Sequence, residues 1–413
     1  MWDTNLPYIG TIPDSWKLAL LGRFASEVQA LNTDGAESNA LQFKMGSIIS
    51  KTGGDSKYHP ETLEGYNVVI PGDIVINGLN LNYDLKSLRV GQVQEIGVIT
   101  AAYITIRPHG INSGFLKYLL KGFDYIKTFH GMGKGIRLTL SYGELKKMFI
   151  PIPPVEVQQR VVDFLDAECV EIDTVVENTR ASIEEYKKLK QSVITEAVTK
   201  GICGKRPMKE TGVEWIGEIP AEWRYIKFGR VAKVASNLVD PADYPDYPQI
   251  APDSIEKGSG KLLGDIKTVK DSNVISWNHL FHKGQIIYSK IRPLLNKLVI
   301  APFDGLCSAD MYPIETEENT PFFVYLMLSS YFLEQIKQVT EDRVKMPKVN
   351  QEELSSFRIV LPSQEEQQEI VAYLDEKCAA IDSLIASKEA LIAELEAYKK
   401  SIIYEYVTGK KEV

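Results

Sequence analysis

The stretch EWIGEIPAEW, residues 214–223, lies in the middle of the chain, yet it nearly repeats PYIGTIPDSW at residues 7–16. Shifted by 207 positions, Ile9, Gly10, Ile12, Pro13, Trp16, Gly22, Arg23 and Ala25 fall on Ile216, Gly217, Ile219, Pro220, Trp223, Gly229, Arg230 and Ala232. A second block repeats at a shift of 209. VQQRVVDFLDAECVEID (157–173) falls on EQQEIVAYLDEKCAAID (366–382), and KQSVITEAVT (190–199) falls on KKSIIYEYVT (399–408). Between the blocks only a skeleton is shared: PGDIVI at 71–76 faces KGQIIY at 283–288, and YLL at 118–120 faces YLM at 325–327. Internal repetition decides the fold ahead of any local signal. The chain is a tandem duplication with similar frames and divergent interiors.

The second block opens a long helix in each half. Leu165, Cys169, Ile172, Val176, Thr179, Ile183, Tyr186, Lys190, Val193 and Ala197 alternate by four and three. Leu374, Cys378, Ile381, Ile385, Lys388, Ile392, Leu395, Lys399, Ile402 and Tyr406 keep the same register. A heptad seam without internal Gly or Pro is the pattern of a coiled coil. PIPP at 151–154 precedes the first helix, Ser363 and Glu366 form a capping-box pair before the second, and Gly201 and Gly409 stand after the last turns. Matched registers favour the two helices packing on each other over each packing on its own domain. The middles, with short β-rich runs broken by Gly, Pro and Asn and one helical period each, read as α+β domains of about 150 residues. The predicted plan is a domain at 1–154, a spacer helix at 155–200, a connector at 201–213, a second domain at 214–362 and a second spacer helix at 363–413.

A length of 413 residues suits roughly two to three domains. No apolar run approaches the roughly 20 residues that span a bilayer, and the start MWDTNLPYIG has no signal-peptide pattern, so a cytoplasmic protein is expected. Cys169, Cys203, Cys307 and Cys378 form no CxxC pair, which argues against a zinc site or disulfide framework. The net charge of −8 hides an uneven distribution. Residues 155–200 carry 6 basic against 10 acidic side chains and residues 363–413 carry 6 against 11, whereas residues 1–154 carry 15 against 13. Acid therefore concentrates on the helices, which suits a solvated face or a protein partner better than a phosphate backbone.

Basic side chains of the domains gather in loop-like stretches with Asn, Ser and Gly: SKTGGDSKYH (50–59), NGLNLNYDLKSLR (77–89), GMGKGIR (131–137), IEKGSGKLLG (255–264), SKIRPLLNK (289–297) and EDRVKMPK (341–348). These residue types grip phosphates and read base edges. Signs of catalysis are weak. GMGKGIRL lacks the GxxxxGK[ST] spacing of a phosphate loop. Pro252-Asp253 with Asp265-Ile266-Lys267 imitates a metal-nuclease pattern but has no counterpart in the first half. There is no Asn-Pro-Pro-aromatic motif and no strand-borne GxGxxG, and His59, His109, His130, His279 and His282 show no metal spacing. No catalytic or metal-ligating set is expected.

GVEWIGEIPAEW followed by FGRVAKV, and LPSQEEQQEIVAYLDEKCAAID followed by a long helix, resemble the specificity (S) subunit of type I restriction–modification systems. The resemblance runs over essentially the whole chain, with both openings, both helix starts and both seams in order. Two departures stand out: Val157-Gln158 where the second copy has Glu366-Gln367, and Asn5-Leu6-Pro7-Tyr8 in place of the Gly-Val-Glu-Trp lead. The resemblance implies an α+β fold with two target recognition domains joined and separated by two long antiparallel coiled-coil helices, in a pseudo-twofold tandem repeat. It implies a bipartite, asymmetric double-stranded DNA site, one domain per half-site, with the helices as spacer. It implies two modification (methyltransferase) subunits bound to the chain, restriction (motor–nuclease) subunits joining through them, and S-adenosylmethionine, ATP and Mg2+ belonging to those partners, with no cofactor in this chain.

On residue type and loop placement, the expected DNA contacts are Lys51, Lys57, Asn77, Asn80, Asn82, Lys86, Arg89, Lys134 and Arg137 in the first domain. In the second they are Lys257, Lys261, Lys290, Arg292, Asn296, Lys297, Arg343 and Lys345. The expected seam is Leu165, Cys169, Ile172, Val176 and Ile183 against Leu374, Cys378, Ile381, Ile385 and Ile392, while Trp16 and Trp223 are assigned to domain cores. The alternatives are a specificity module of another methyltransferase or nuclease machine, and a coiled-coil adaptor that binds no DNA.

Overall fold

The computed structural model describes residues 1–33, 35–51, 62–83, 85–213, 215–343 and 347–413. The chain forms two compact units, Met1–Thr179 with Glu389–Val413, and Arg180–Lys388. Both boundaries fall inside the long helices. The helices are therefore not a layer of their own, because each contributes to both units.

In the first unit, β1 (Ala25–Glu27), β2 (Ile74–Ile76), β3 (Val90–Gln92) and β4 (Ile104–Pro108) form an antiparallel sheet ordered β1–β4–β2–β3. Helix α1 (Ser113–Tyr125) shares the core with it, Phe115, Leu116, Leu119 and Phe123 clustering with Ile74, Ile76, Val90 and Ile106. The strand Lys17–Leu20 pairs with Phe149–Ile152, which leads into α2 (Val155–Lys200). The second unit repeats this frame. β5 (Ala232–Val234), β6 (Ile286–Ser289), β7 (Leu298–Ile300) and β8 (Met311–Thr316) are ordered β5–β8–β6–β7. They share a core with α3 (Thr320–Leu328) and α4 (Ser330–Thr340), and the pair Arg224–Lys227 with Arg358–Leu361 leads into α5 (Gln364–Val407). The units diverge where the sequence repeat fades. The second has a further four-stranded sheet built on Asn278–Phe281 and Gly305–Ser308, where the first has separate two-stranded ladders. Among the described residues no helix is long and apolar enough to cross a membrane.

The helix starts are fastened to their domains by the same hydrogen bonds in each copy. Asn112 caps α1, its Oδ1 accepting from the Phe115 N–H at 3.1 Å. Its own N–H donates to Gln158 Oε1 at 2.8 Å, and Gln158 Nε2 donates to the Pro153 carbonyl at 2.9 Å. Asn319, Phe322, Gln367 and Pro362 repeat this set at 3.0, 3.0 and 3.1 Å. The tyrosine of YLL or YLM bonds the aspartate of the helix start, Tyr118 to Asp166 and Tyr325 to Asp375. The capping-box pair closes on one side only. Ser363 Oγ accepts from the Glu366 N–H at 3.3 Å, but the Glu366 carboxylate takes the Trp223 indole N–H at 2.7 Å and the Arg206 guanidinium. In the first copy Val157 stands at that position and offers no carboxylate.

The helices pair antiparallel within each unit. In the first, Phe164 meets Tyr406 with ring centroids 4.5 Å apart, and Lys399 Nζ lies 2.6 Å from Asp173. In the second, Lys190 Nζ lies 2.7 Å from Asp382 and Lys388 sits over the Tyr186 ring. Shifted by 209, Asp173 becomes Asp382 and Lys190 becomes Lys399, so one ion pair occurs twice with its members exchanged. Leu165, Cys169, Ile172, Val176, Ile183, Leu374, Cys378 and Ile381 are buried, whereas Ile385 and Ile392 are half-buried. Each opening motif closes over the helix end of the other copy. Trp16 and Pro13 lie against Gly409, and Trp223 lies against Gly201. Both glycines have positive φ (+68° and +80°), and a Cβ on Gly409 would come within 2.4 Å of Pro13, so this helix stop requires glycine.

Gln367→Ala strands the Asn319 N–H and the Pro362 carbonyl inside the second unit. A loss of about 2–3 kcal/mol is expected, read as a lower urea midpoint, whereas Gln368→Ala on the exposed face should stay within about 0.5 kcal/mol.

Candidate nucleic-acid interface

The β2–β3 connection (77–89) and the segment after α1 (131–140) are joined in the first unit. The Leu81 N–H donates to the Leu138 carbonyl at 3.1 Å, and the Leu140 N–H donates to the Gly78 carbonyl at 2.9 Å. Asn82 Nδ2 adds a bond to the Ile136 carbonyl at 3.2 Å. The second unit joins the same two connections. The Arg292 N–H donates to the Pro347 carbonyl at 2.8 Å, and the Val349 N–H donates to the Lys290 carbonyl at 3.0 Å. Leu140 and Val349 are 209 apart, so the junction is copied even though the side chains around it are not. The third basic stretch of the second unit joins this group, the Gly258 N–H donating to the Asn296 carbonyl at 3.1 Å and Lys297 Nζ to the Pro252 carbonyl at 2.6 Å. Three of the six stretches thus come together in the second unit and two in the first. In the stretch at 50–59, the described Lys51 is half-buried.

Within these loops Asn80, Asn82, Lys86, Lys134 and Arg137 are exposed in the first unit, and Lys257, Lys261 and Arg292 in the second. Asn77 is half-buried, and its Oδ1 accepts from the Leu79 N–H, a turn-forming role. Lys290 lies over the Tyr312 ring and Lys134 pairs with Glu144. Arg343 is held by Glu353 and the Lys348 carbonyl, which fixes the loop from inside. Two expected contacts are corrected. Arg89 is buried, with its N–H on Asp124 and its guanidinium on the Leu79 carbonyl, and burial pushes the Asp124 carboxyl up. Asn296 is also buried, at φ +46°, with Nδ2 on the Met327 carbonyl. Both shape their loops from within, because polar side chains in tight turns serve backbone carbonyls as readily as an external ligand. Lys57 and Lys345 lie outside the described residues.

Lys261 ties its loop to α5, its Nζ 2.9 Å from Asp382, the same carboxylate that holds Lys190. Burial works to raise the Asp382 carboxyl, and the two ammonium groups more than reverse this, holding it below the usual range. Apolar side chains also stand on the first unit's joined loops: Tyr83, Leu85 and Ile136 are exposed, and the sequence signals them only as apolar residues amid polar loop sequence. A cleft of about 670 Å³ in the second unit pairs its own charges, Arg224 with Glu318 and Lys233 with Glu315. Among the described residues no group of three or more His, Cys, Asp or Glu side chains gathers as a metal site.

Residues 220–397 match the family described as the type I restriction modification DNA specificity domain. The chain is 32% identical over 324 residues to the type I restriction enzyme EcoDI specificity subunit of Escherichia coli, covering 74% of this chain and 71% of that one. It is 25% identical over 431 residues to a putative type I restriction enzyme MjaX specificity subunit of Methanocaldococcus jannaschii, covering 98% and 96%. The fold is shared with a chain solved in work on complex assembly and conformational transition of the type I R-M system, with a TM-score of 0.72 at 16% identity over 97% of this chain and 100% of that one. It is also shared with the HsdS subunit from Thermoanaerobacter tengcongensis, with a TM-score of 0.52 at 16% identity over 99% and 100%.

Because the folded carboxyl of Asp382 is depressed, its ion pairs stabilise the fold above the ordinary carboxylate range, and this is lost as pH falls through the folded value. A double-mutant cycle of Lys261→Met and Asp382→Asn should show roughly 0.2–1 kcal/mol of coupling at neutral pH. In thermal melts the coupling should vanish once the carboxyl is protonated.

Proposed function

The chain belongs to the specificity subunits of type I restriction–modification systems, non-catalytic subunits that recognise DNA sequence, and we propose that it divides this task between its units. Each unit reads one half of a two-part, asymmetric site in double-stranded DNA through its pair of joined loops. The observation that carries this reading is the copied junction, Leu140 to Gly78 and Val349 to Lys290, which presents different side chains on one backbone frame. Asn80, Asn82, Lys86 and Arg137 on one frame and Lys257 and Arg292 on the other offer different donor patterns, as two unlike half-sites require. The antiparallel helix pair sets the number of base pairs between the half-sites.

Other subunits complete the machine. The acidic outer faces of α2 and α5, with the neighbouring domain edges, suit two modification (methyltransferase) subunits, and restriction (motor–nuclease) subunits join through them. S-adenosylmethionine, ATP and Mg2+ belong to those partners, and the assembly works in the cytoplasm, where the DNA is.

A methylation map of cells carrying this chain with its methyltransferase tests the reading. Methylated adenines in a two-part motif with a fixed gap, lost when this chain is removed, are the expected result. A pattern indifferent to the chain would sink it. Deleting one heptad from α2 and the facing heptad from α5 shortens the pair by about 10 Å. The mapped gap should then shrink by roughly three base pairs. In binding titrations, Arg137→Ala and Arg292→Ala should each reduce the slope of log K against log salt by about 0.9 if they contact phosphate.

A further inference from the structure

The two most exposed apolar side chains of the first unit's joined loops have no task in the reading above. Ile136 is 97% exposed and Tyr83 is 86% exposed. Single exposed apolar residues are ordinary, but these two stand on loops that are tied to each other. The Asn82 side chain donates to the Ile136 carbonyl, bringing the residue before Tyr83 onto Ile136. Ile136 also stands at the tip of a tight hairpin, with Lys134 and Thr139 exchanging two backbone hydrogen bonds around it. That turn takes Gly135 at φ +76° and Leu138 at φ +43°, the latter an unfavourable conformation for a branched side chain. The hairpin holds the isoleucine in solvent, between Lys134 and Arg137.

Basic neighbours make a phosphate-bearing partner the fitting occupant. Apolar side chains touch DNA in two main ways, against the thymine 5-methyl group in the major groove or as a wedge between base steps from the minor groove. Asn82 and Arg137 beside Ile136 are side chains suited to adenine and guanine edges in the major groove, which favours the first mode. We propose that Ile136 is a specificity-determining residue that contacts a thymine methyl group in the first half-site. The inference rests on the reading that the first unit's joined loops face DNA. Among the described residues of the second unit's β6–β7 connection, Leu294 is the exposed apolar side chain, at 49%.

The test uses this chain with its methyltransferase and duplexes carrying the mapped site. Each thymine of the first half-site is replaced in turn by deoxyuridine, which removes only the methyl group. One replacement should weaken binding about fourfold, the factor for roughly 0.8 kcal/mol per buried methylene-sized group. The Ile136→Ala complex should already have lost that factor and be indifferent to deoxyuridine at the same position, with an unchanged melting temperature because the side chain is exposed. Tolerance of deoxyuridine everywhere, an undiminished penalty in Ile136→Ala, or a first half-site without thymine would overturn the inference. So would a loss in Ile136→Ala that is equal for thymine and uracil duplexes, the result for a wedge. If the unmutated complex binds no duplex specifically, the two-unit reading falls as well. A failure confined to the deoxyuridine series ends this inference alone.

Discussion

Gln158 and Gln367 are side-chain amides sealed from water at the first turns of the long helices, and the placement of each domain on its helix depends on them. Each accepts from the N–H of an asparagine that itself caps a domain helix and donates to the carbonyl of a proline just upstream. A buried amide left without partners is expensive, so only one docking angle of domain on helix satisfies all the donors and acceptors. Apolar packing alone would tolerate a range of angles. The amide converts a greasy contact into a defined joint, and the duplication supplies that joint twice.

The loops can diverge because the joint does not. The sheet order, the helix cap and the tyrosine–aspartate bond recur in both units, while the connections beyond the sheet differ in length, charge and apolar content. Backbone-to-backbone bonds tie each loop to its neighbour, so exchanging loop side chains leaves those ties in place. The side chains at Arg137 and Arg292 can therefore change without disturbing the frame that carries them.

The frame was legible in the sequence because it was written twice. The period of the seam, the prolines before the helices and the glycines after them survive in both copies, and packing of the two helices on each other follows from them, while their antiparallel sense is what the family resemblance implies. The chemistry of the joint was less legible. Glu366 has the spacing of a capping residue, but Trp223 and Arg206, distant in sequence, claim its carboxylate. Residue type does not separate an arginine facing solvent from one facing a carbonyl. By type alone Arg89 and Asn296 read as surface groups, where the structure buries them, and Ile136 and Tyr83 read as interior residues, where the structure exposes them. The division into units was hidden too, since it depends on which helix end each opening motif meets.

That exchange of helix ends governs the order in which the protein can be finished as it leaves the ribosome. The second unit, residues 180–388, is one unbroken stretch of chain, so it can close once α5 has been made as far as Lys388. The first unit needs Glu389–Val413, and the Tyr404 hydroxyl reaches back to the Tyr8 carbonyl across 396 residues. Nascent domains generally fold from the amino terminus onward. Here the half made first must wait, with the surface around Trp16 uncovered, until Glu389–Val413 have been synthesised.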